Sequence, residues 1–248
     1  MQPADPRILT INGGSSTIKL ALFEAGDALR SILGGAVERI GRPEASLRVK
    51  GIDQADTFSR PVAAVRNNRS MDTSMSFTPA AGVPMATRSG DLDPGLFGYL
   101  ARTEGMDAKK FTEMVNFESG LIGVSETSSD MRDLLGRETL DVRAAEAVSL
   151  FCYQVKKWIG GFAAALGGLD TLVFAGGIGE NAPEVRARIC EGLDFLGIGL
   201  ETARNAGNEG VISVPAGAVV VRVIHTDEER VIAELVCDVL GLVSAKEH

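Results

Sequence analysis

The chain predicts an α/β fold in two lobes, and three observations lead there. β-type runs with tight polar turns open each part of the chain. Helical patterns with their own capping residues follow them. Polar, Gly-rich or acidic turns then sit directly after β-type runs, where open α/β sheets hold their ligands.

Residues 8–11 are a short β-type run that breaks at Gly13-Gly14, and apolar alternation resumes at Ile18, Leu20, Leu22 and Phe23. This predicts a hairpin whose tip carries Asn12, Ser15, Ser16, Thr17 and Lys19. Hydroxyls, amide N–H groups and one ammonium on a tight turn suit a phosphate. The same pattern also fits an ordinary polar hairpin tip. Residues 31–37 and 46–49 extend the meander around the turn Gly41-Arg42-Pro43. Residues 52–70 show little periodicity and offer no helix to cover that sheet.

Residues 71–94 read as a long polar loop. Asp93 as N-cap and Pro94 at the first helical position open a helix over 96–103. Asp107 caps a second helix over 108–117, and residues 125–133 are turn-like. Apolar residues from Val142 to Phe162 recur at helical spacing, so 141–166 is a long helix that Gly167-Gly168 stops. A buried strand over 172–175 runs into the loop Gly176–Asn181. A helix over 183–193 and strands over 211–214 and 219–224 come next. Thr226 is the expected N-cap of a last helix, 229–240, returning to the first lobe. The lobes are thus expected at 1–65, completed by 229–248, and at 66–228.

Bulk properties narrow the function. The 248 residues suffice for one large or two modest domains, with 45% hydrophobic and 23% charged residues. A net charge of −8 argues against nucleic-acid and anionic-membrane partners, which need a basic face. The three cysteines are far apart in apolar segments, as expected of buried free thiols in a reducing cytoplasm. No apolar run reaches the ~18–20 residues of a membrane span, and no secretory signal pattern opens the sequence.

Four polar loops can carry chemistry: 12–19, 72–91, 175–181 and 226–229. The glycines of Gly176–Asn181 let a nucleotide approach the backbone at a helix start, or simply turn a corner. Asn12 and Glu228 offer oxygen donors to Mg²⁺; Glu228 equally suits the first turn of a helix. Arg88, in Thr-Arg-Ser-Gly-Asp, can clamp a phosphoryl group or pair with Asp91 or Asp93. His225 has no evident Ser or Cys partner and reads as structural.

Taken together and in order, these motifs resemble the acetate kinase family. The resemblance rests on Ile-Asn-Gly-Gly-Ser-Ser-Thr-Ile-Lys at 11–19, Asp-Thr-Ser-Met-Ser-Phe-Thr-Pro from Asp72, and Met-Ala-Thr-Arg-Ser-Gly-Asp-Leu-Asp-Pro from Met85. Ser-Ser-Asp-Met-Arg-Asp from Ser128, Phe-Ala-Gly-Gly-Ile-Gly-Glu-Asn from Phe174, Arg-Ala-Arg-Ile-Cys-Glu-Gly-Leu from Arg186 and Thr-Asp-Glu-Glu from Thr226 complete it. It implies a two-lobed actin-like ATPase (ribonuclease H-like) fold with a truncated N-terminal lobe. It also implies reversible phosphoryl transfer from ATP to acetate, with Mg²⁺ or Mn²⁺, in a cytoplasmic homodimer.

By the same resemblance Asn12, Ser15, Thr17 and Lys19 form the phosphate and metal hairpin, and Arg88 is the active-site arginine. Met131 falls on the adenosine side, Gly176, Gly177, Gly179 and Asn181 on the nucleotide loop, and Glu228 is the magnesium carboxylate. One departure stands out. Val62-Ala63-Ala64 runs almost directly into Val65-Arg66-Asn67-Asn68-Arg69-Ser70. Family members have there a long segment with His-Arg-Val-Val-His-Gly-Gly-like, Phe-Asp-Thr-Ala-Phe-His-like and His-Leu-Gly-Asn-Gly-like stretches, which carry a second arginine and the acyl pocket. Weak kinase activity is therefore expected, with a nucleotide-binding regulatory subunit, or a propionate or butyrate kinase, as alternatives.

Overall fold

In the computed structural model, two parallel strands end side by side, and the residues following them are the centre of interest. The strands are β7 (Thr171–Ala175) and β8 (Val220–Ile224), with Ala175 opposite Ile224. The structure describes residues 7–13, 17–24, 30–38, 46–50, 62–67, 69–227, 230, 233, 236 and 237, with backbone only for the strands before residue 51. The chain divides into two units, residues 1–55 with 226–248, and residues 56–225.

The first unit holds an antiparallel sheet in the order β1 (Arg7–Gly13), β2 (Thr17–Glu24), β3 (Arg30–Glu38), β4 (Ser46–Lys50). Asn12 pairs with Lys19 and Gly13 with Ile18 across β1 and β2, so the expected hairpin is formed. A register shift at Leu22/Phe23 bends β2 against β3.

The second unit begins with a hairpin, β5 (Ala63–Arg66) and β6 (Arg69–Thr73). No strand is predicted at β6, since 69–70 fall in the stretch of little periodicity and 71–73 in the long polar loop. Its residues Arg69 to Thr73 are all exposed and lack apolar alternation, so only the left-handed Asn67 (φ 51°) marks the turn. The hairpin packs with the second unit, because β5 lies against the long helix described next.

Helix α1 (Gly95–Thr103) starts where Asp93 Oδ1 accepts the Gly95 N–H at 2.7 Å. In α2 (Ala108–Phe117), Asp107 accepts from the Lys110 N–H. Two short helices, α3 (Gly120–Ser125) and α4 (Met131–Arg137), occupy part of the stretch expected to be turn-like. At six and seven residues they are too short for periodicity to declare them, and packing on α5 (Val142–Leu166) stabilises them.

Asp141 caps α5 through the N–H groups of Arg143 and Ala144. The helix ends at left-handed Gly167 (φ 74°), with Gly168 N–H donating to Ala163 O at 2.9 Å. Its buried stripe, Ala144, Ala147, Val148, Phe151, Val155 and Ile159, shares one core with Leu134, Val185, Ile189 and Val221. After β7 come α6 (Gly176–Asn181), α7 (Pro183–Cys190), a 3-10 turn (Asp194–Leu196) and α8 (Thr202–Ala206). The strand expected over 211–214 is reduced to isolated bridges at Val211 and Ser213, because Pro215 cuts the run short.

Candidate active site

Arg88 lies on a loop that the backbone clamps against the α2–α3 junction. Ser89 N–H donates to Val115 O at 2.9 Å, Ser119 N–H to Thr87 O at 3.0 Å, and Leu121 N–H to Met85 O at 2.9 Å. Thr87 Oγ1 adds a bond to Asn116 O at 2.8 Å. Gly120 (φ +61°) permits this approach, since a Cβ there would stand 2.1 Å from Met85 O and 2.6 Å from Arg88 O. On the other side Gly82 N–H donates to Asp91 Oδ1 at 2.8 Å and Asp91 N–H to Gly82 O at 3.0 Å.

These bonds bear on the expected ion pair of Arg88. Asp91 is committed to Gly82, and Asp93 to Gly95. Among the described residues no carboxylate pairs with Arg88; its Nη1 has only Met85 Sδ, at 4.0 Å. The half-buried guanidinium keeps its donors for another acceptor.

The Gly-rich segment departs from expectation: Gly176–Asn181 is a short helix, α6, rather than a loop. Gly176, at φ 74°, turns the chain out of β7, and its N–H donates to Glu180 Oε1 at 2.7 Å. The carboxylate of Glu180, whose side chain is 10% exposed, thus already supplies negative charge at this helix start. Gly176 is expected on the nucleotide loop; here a protein carboxylate holds its N–H. Gly179 lies close against β7, where a Cβ would stand 3.2 Å from the Phe174 carbonyl carbon. The exposed Asn181 turns its Nδ2 back to Gly177 O at 3.0 Å.

Glu180 also reaches His225, with 2.9 Å between Oε2 and Nδ1. The pairing of Ala175 with Ile224 dictates this contact, because Gly176 and His225 are the next residues on neighbouring strands. Sequence reading missed Glu180 as an individual residue. The signal was a carboxylate four residues beyond a glycine at a strand end, and it becomes informative only once the strand pairing is known.

Met131, expected on the adenosine side, is 2% exposed and belongs to the core with Leu134. At residues 226–229, Asp227 Oδ1 accepts the Arg230 N–H at 2.9 Å. Ser15 and Glu228 lie outside the described residues, whereas Asn12, Thr17 and Lys19 are placed by backbone on β1 and β2. Among the described residues no cluster of three His, Cys, Asp or Glu side chains could hold a metal. No helix there is long and apolar enough to cross a membrane.

All three cysteines are buried thiols. Burial pushes the Cys152 thiol up to about 11 and that of Cys190 to about 12.

Residues 58–234 match the model of the acetokinase family. An acetate kinase of Thermoanaerobacterium thermosaccharolyticum is 43% identical over 203 residues, which cover 80% of this chain and 50% of that protein. The chain thus spans about half the length of the curated relatives it matches. The crystal structure of Porphyromonas gingivalis acetate kinase superposes with a TM-score of 0.78 at 24% identity, covering 94% of this chain and 99% of that one. A propionate kinase from Francisella tularensis subsp. tularensis gives 0.79 at 21% identity, covering 92% and 98%. The fold is accordingly the two-domain actin-like ATPase fold of these enzymes, as expected from the motifs.

Proposed function

The chain belongs to the acetokinase family, and from that premise we propose that it transfers the γ-phosphoryl group of ATP reversibly to acetate, forming acetyl phosphate and ADP. The observation that carries this reading is Arg88, fixed by backbone bonds on both sides of its loop and left without a carboxylate partner among the described residues. A guanidinium so held can orient the phosphoryl group and neutralise charge that spreads over its oxygens during transfer. Fixed placement matters because phosphoryl transfer relies on alignment more than on covalent chemistry.

In the same reading Asn12, Ser15, Thr17 and Lys19 take the phosphates. Gly177, Gly179 and Asn181 take the nucleoside side, the Glu180 carboxylate disfavouring a phosphate at the α6 start. The amide oxygen of Asn12 and the carboxylate of Glu228 are hard donors that fit Mg²⁺, or Mn²⁺, sharing the nucleotide with retained waters. The metal would supply charge neutralisation on the phosphates. A cytoplasmic homodimer is part of the proposal.

Hydroxylamine trapping of acetyl phosphate, with ATP, acetate and Mg²⁺ present, tests it. Slow hydroxamate formation that requires all three is expected. A rate higher with propionate or butyrate would reassign the acyl substrate. Nucleotide binding without any hydroxamate would favour a regulatory subunit, a reading to which the half-length match gives weight.

A further inference from the structure

The side chain of Arg186 is fully buried, and it spends every N–H it has. Nε donates to Asn205 Oδ1 at 2.8 Å. Nη1 donates to Gly179 O at 2.8 Å and Glu180 O at 3.1 Å. Nη2 donates to Asn205 O at 2.7 Å and Asn208 Oδ1 at 2.6 Å. Asn205 in turn gives its Nδ2 to Pro183 O at 2.9 Å. One planar cation therefore ties the end of α6 to the start of α7 and to the turn after α8.

Packing alone does not call for such a residue. All of these acceptors are neutral oxygens, and desolvation holds the Arg186 pKa below its ordinary value. An apolar side chain of similar volume would avoid that cost. What the guanidinium adds is control of α6. A six-residue helix does not hold itself, and its last carbonyls need partners. Glu180 fixes the N-terminal N–H of α6 and Arg186 its C-terminal carbonyls, each charge matching the helix dipole at its end.

We propose that Arg186 is a positioning residue for nucleotide binding: through the carbonyls of Gly179 and Glu180 it sets the α6 backbone against the nucleoside. This rests on the reading of α6 as a nucleotide-binding segment. Arg186 itself touches no substrate. Lysine cannot replace it, because one ammonium cannot meet five acceptors in a plane.

The test is titration of the chain with a fluorescent N-methylanthraniloyl ADP in Mg²⁺, beside amide hydrogen exchange, for wild type, Arg186→Lys and Asn208→Gly. Asn208 has φ 51°, so glycine keeps the turn and removes one acceptor. Arg186→Lys is expected to weaken binding ~10-fold or more and to speed exchange at 176–181 while α5 stays protected, since small misplacements cost large factors. Asn208→Gly is expected to weaken binding ~2- to 5-fold with the same local exchange pattern, as one hydrogen bond of several is lost. Should Arg186→Lys not fold, Asn208→Gly decides alone. Wild-type binding with unchanged affinity in the folded variants overturns the positioning role, as does exchange that rises equally in α5. Absence of binding by the wild type instead overturns the nucleotide reading of α6 and this inference with it.

Discussion

The buried carboxylate of Glu180 bridges Gly176 and His225: Oε1 accepts the Gly176 N–H at 2.7 Å, and Oε2 stands 2.9 Å from Nδ1 of His225. It joins the start of α6 to the residue that follows β8. Glu180→Ala leaves the Gly176 N–H without its acceptor and should cost about 1–3 kcal/mol in urea unfolding. Glu180→Gln offers an oxygen to Gly176 and an N–H to His225, so it should stay within about 1 kcal/mol of wild type. Equal losses in the two variants would show that side-chain volume, rather than these bonds, matters at this position.

Gly120 lets α3 approach the Arg88 loop, because a Cβ there would collide with Met85 O and Arg88 O. Gly120→Ala should destabilise by at least about 2 kcal/mol, from left-handed strain and displaced carbonyls together. Phosphoryl transfer should fall by ~10-fold or more under conditions where the variant is still folded, because Arg88 moves with the loop. Thermal unfolding and the hydroxylamine assay measure the two effects separately.

Arg188 and Glu138 form a two-pronged pair between α7 and the end of α4, with both N···O distances 2.6 Å. The guanidinium holds the Glu138 carboxyl below its ordinary value of 4.5. A carboxyl that is more acidic when folded stabilises the fold above its unfolded pKa, and that stability is lost as pH falls through the lower folded value. Stability should therefore decline from about pH 4.5 downward, and Glu138→Gln should flatten that part of the curve while costing up to about 1 kcal/mol at pH 7. Urea unfolding across pH 3–7 would show it.

The buried cysteines should resist thiol reagents. With Cys152 and Cys190 pushed to about 11 and 12, their thiolate fraction is negligible at pH 8. A disulfide reagent should therefore label none of the three thiols in the native protein and all three in denaturant. Fast native labelling of one would place that cysteine at a surface.

Much of this was legible in the chain because local chemistry decided it. Asp107 announced the start of α2 and Gly167 the end of α5, through bonds to their own neighbours, and apolar spacing marked α5 itself. The β1–β2 hairpin followed from alternation and two glycines. The polar hairpin strand β6 and the short helices α3, α4 and α6 were not legible, since packing rather than pattern forms them. Arg88 stood out by motif, yet that Asp91 and Asp93 are engaged by Gly82 and Gly95 instead was visible only in the fold. The roles of Glu180 and Arg186 depend on partners 45 and 19 residues away, which no local pattern reveals.

The proposed phosphoryl transfer is tested most directly by running it backwards, from acetyl phosphate and ADP with Mg²⁺, and reading new ATP by luciferase light. ATP should form slowly in the wild type, only when acetyl phosphate is present, and Arg88→Ala should lower the rate ~10²-fold or more. No ATP from the wild type, or equal rates from wild type and Arg88→Ala, would contradict the assignment.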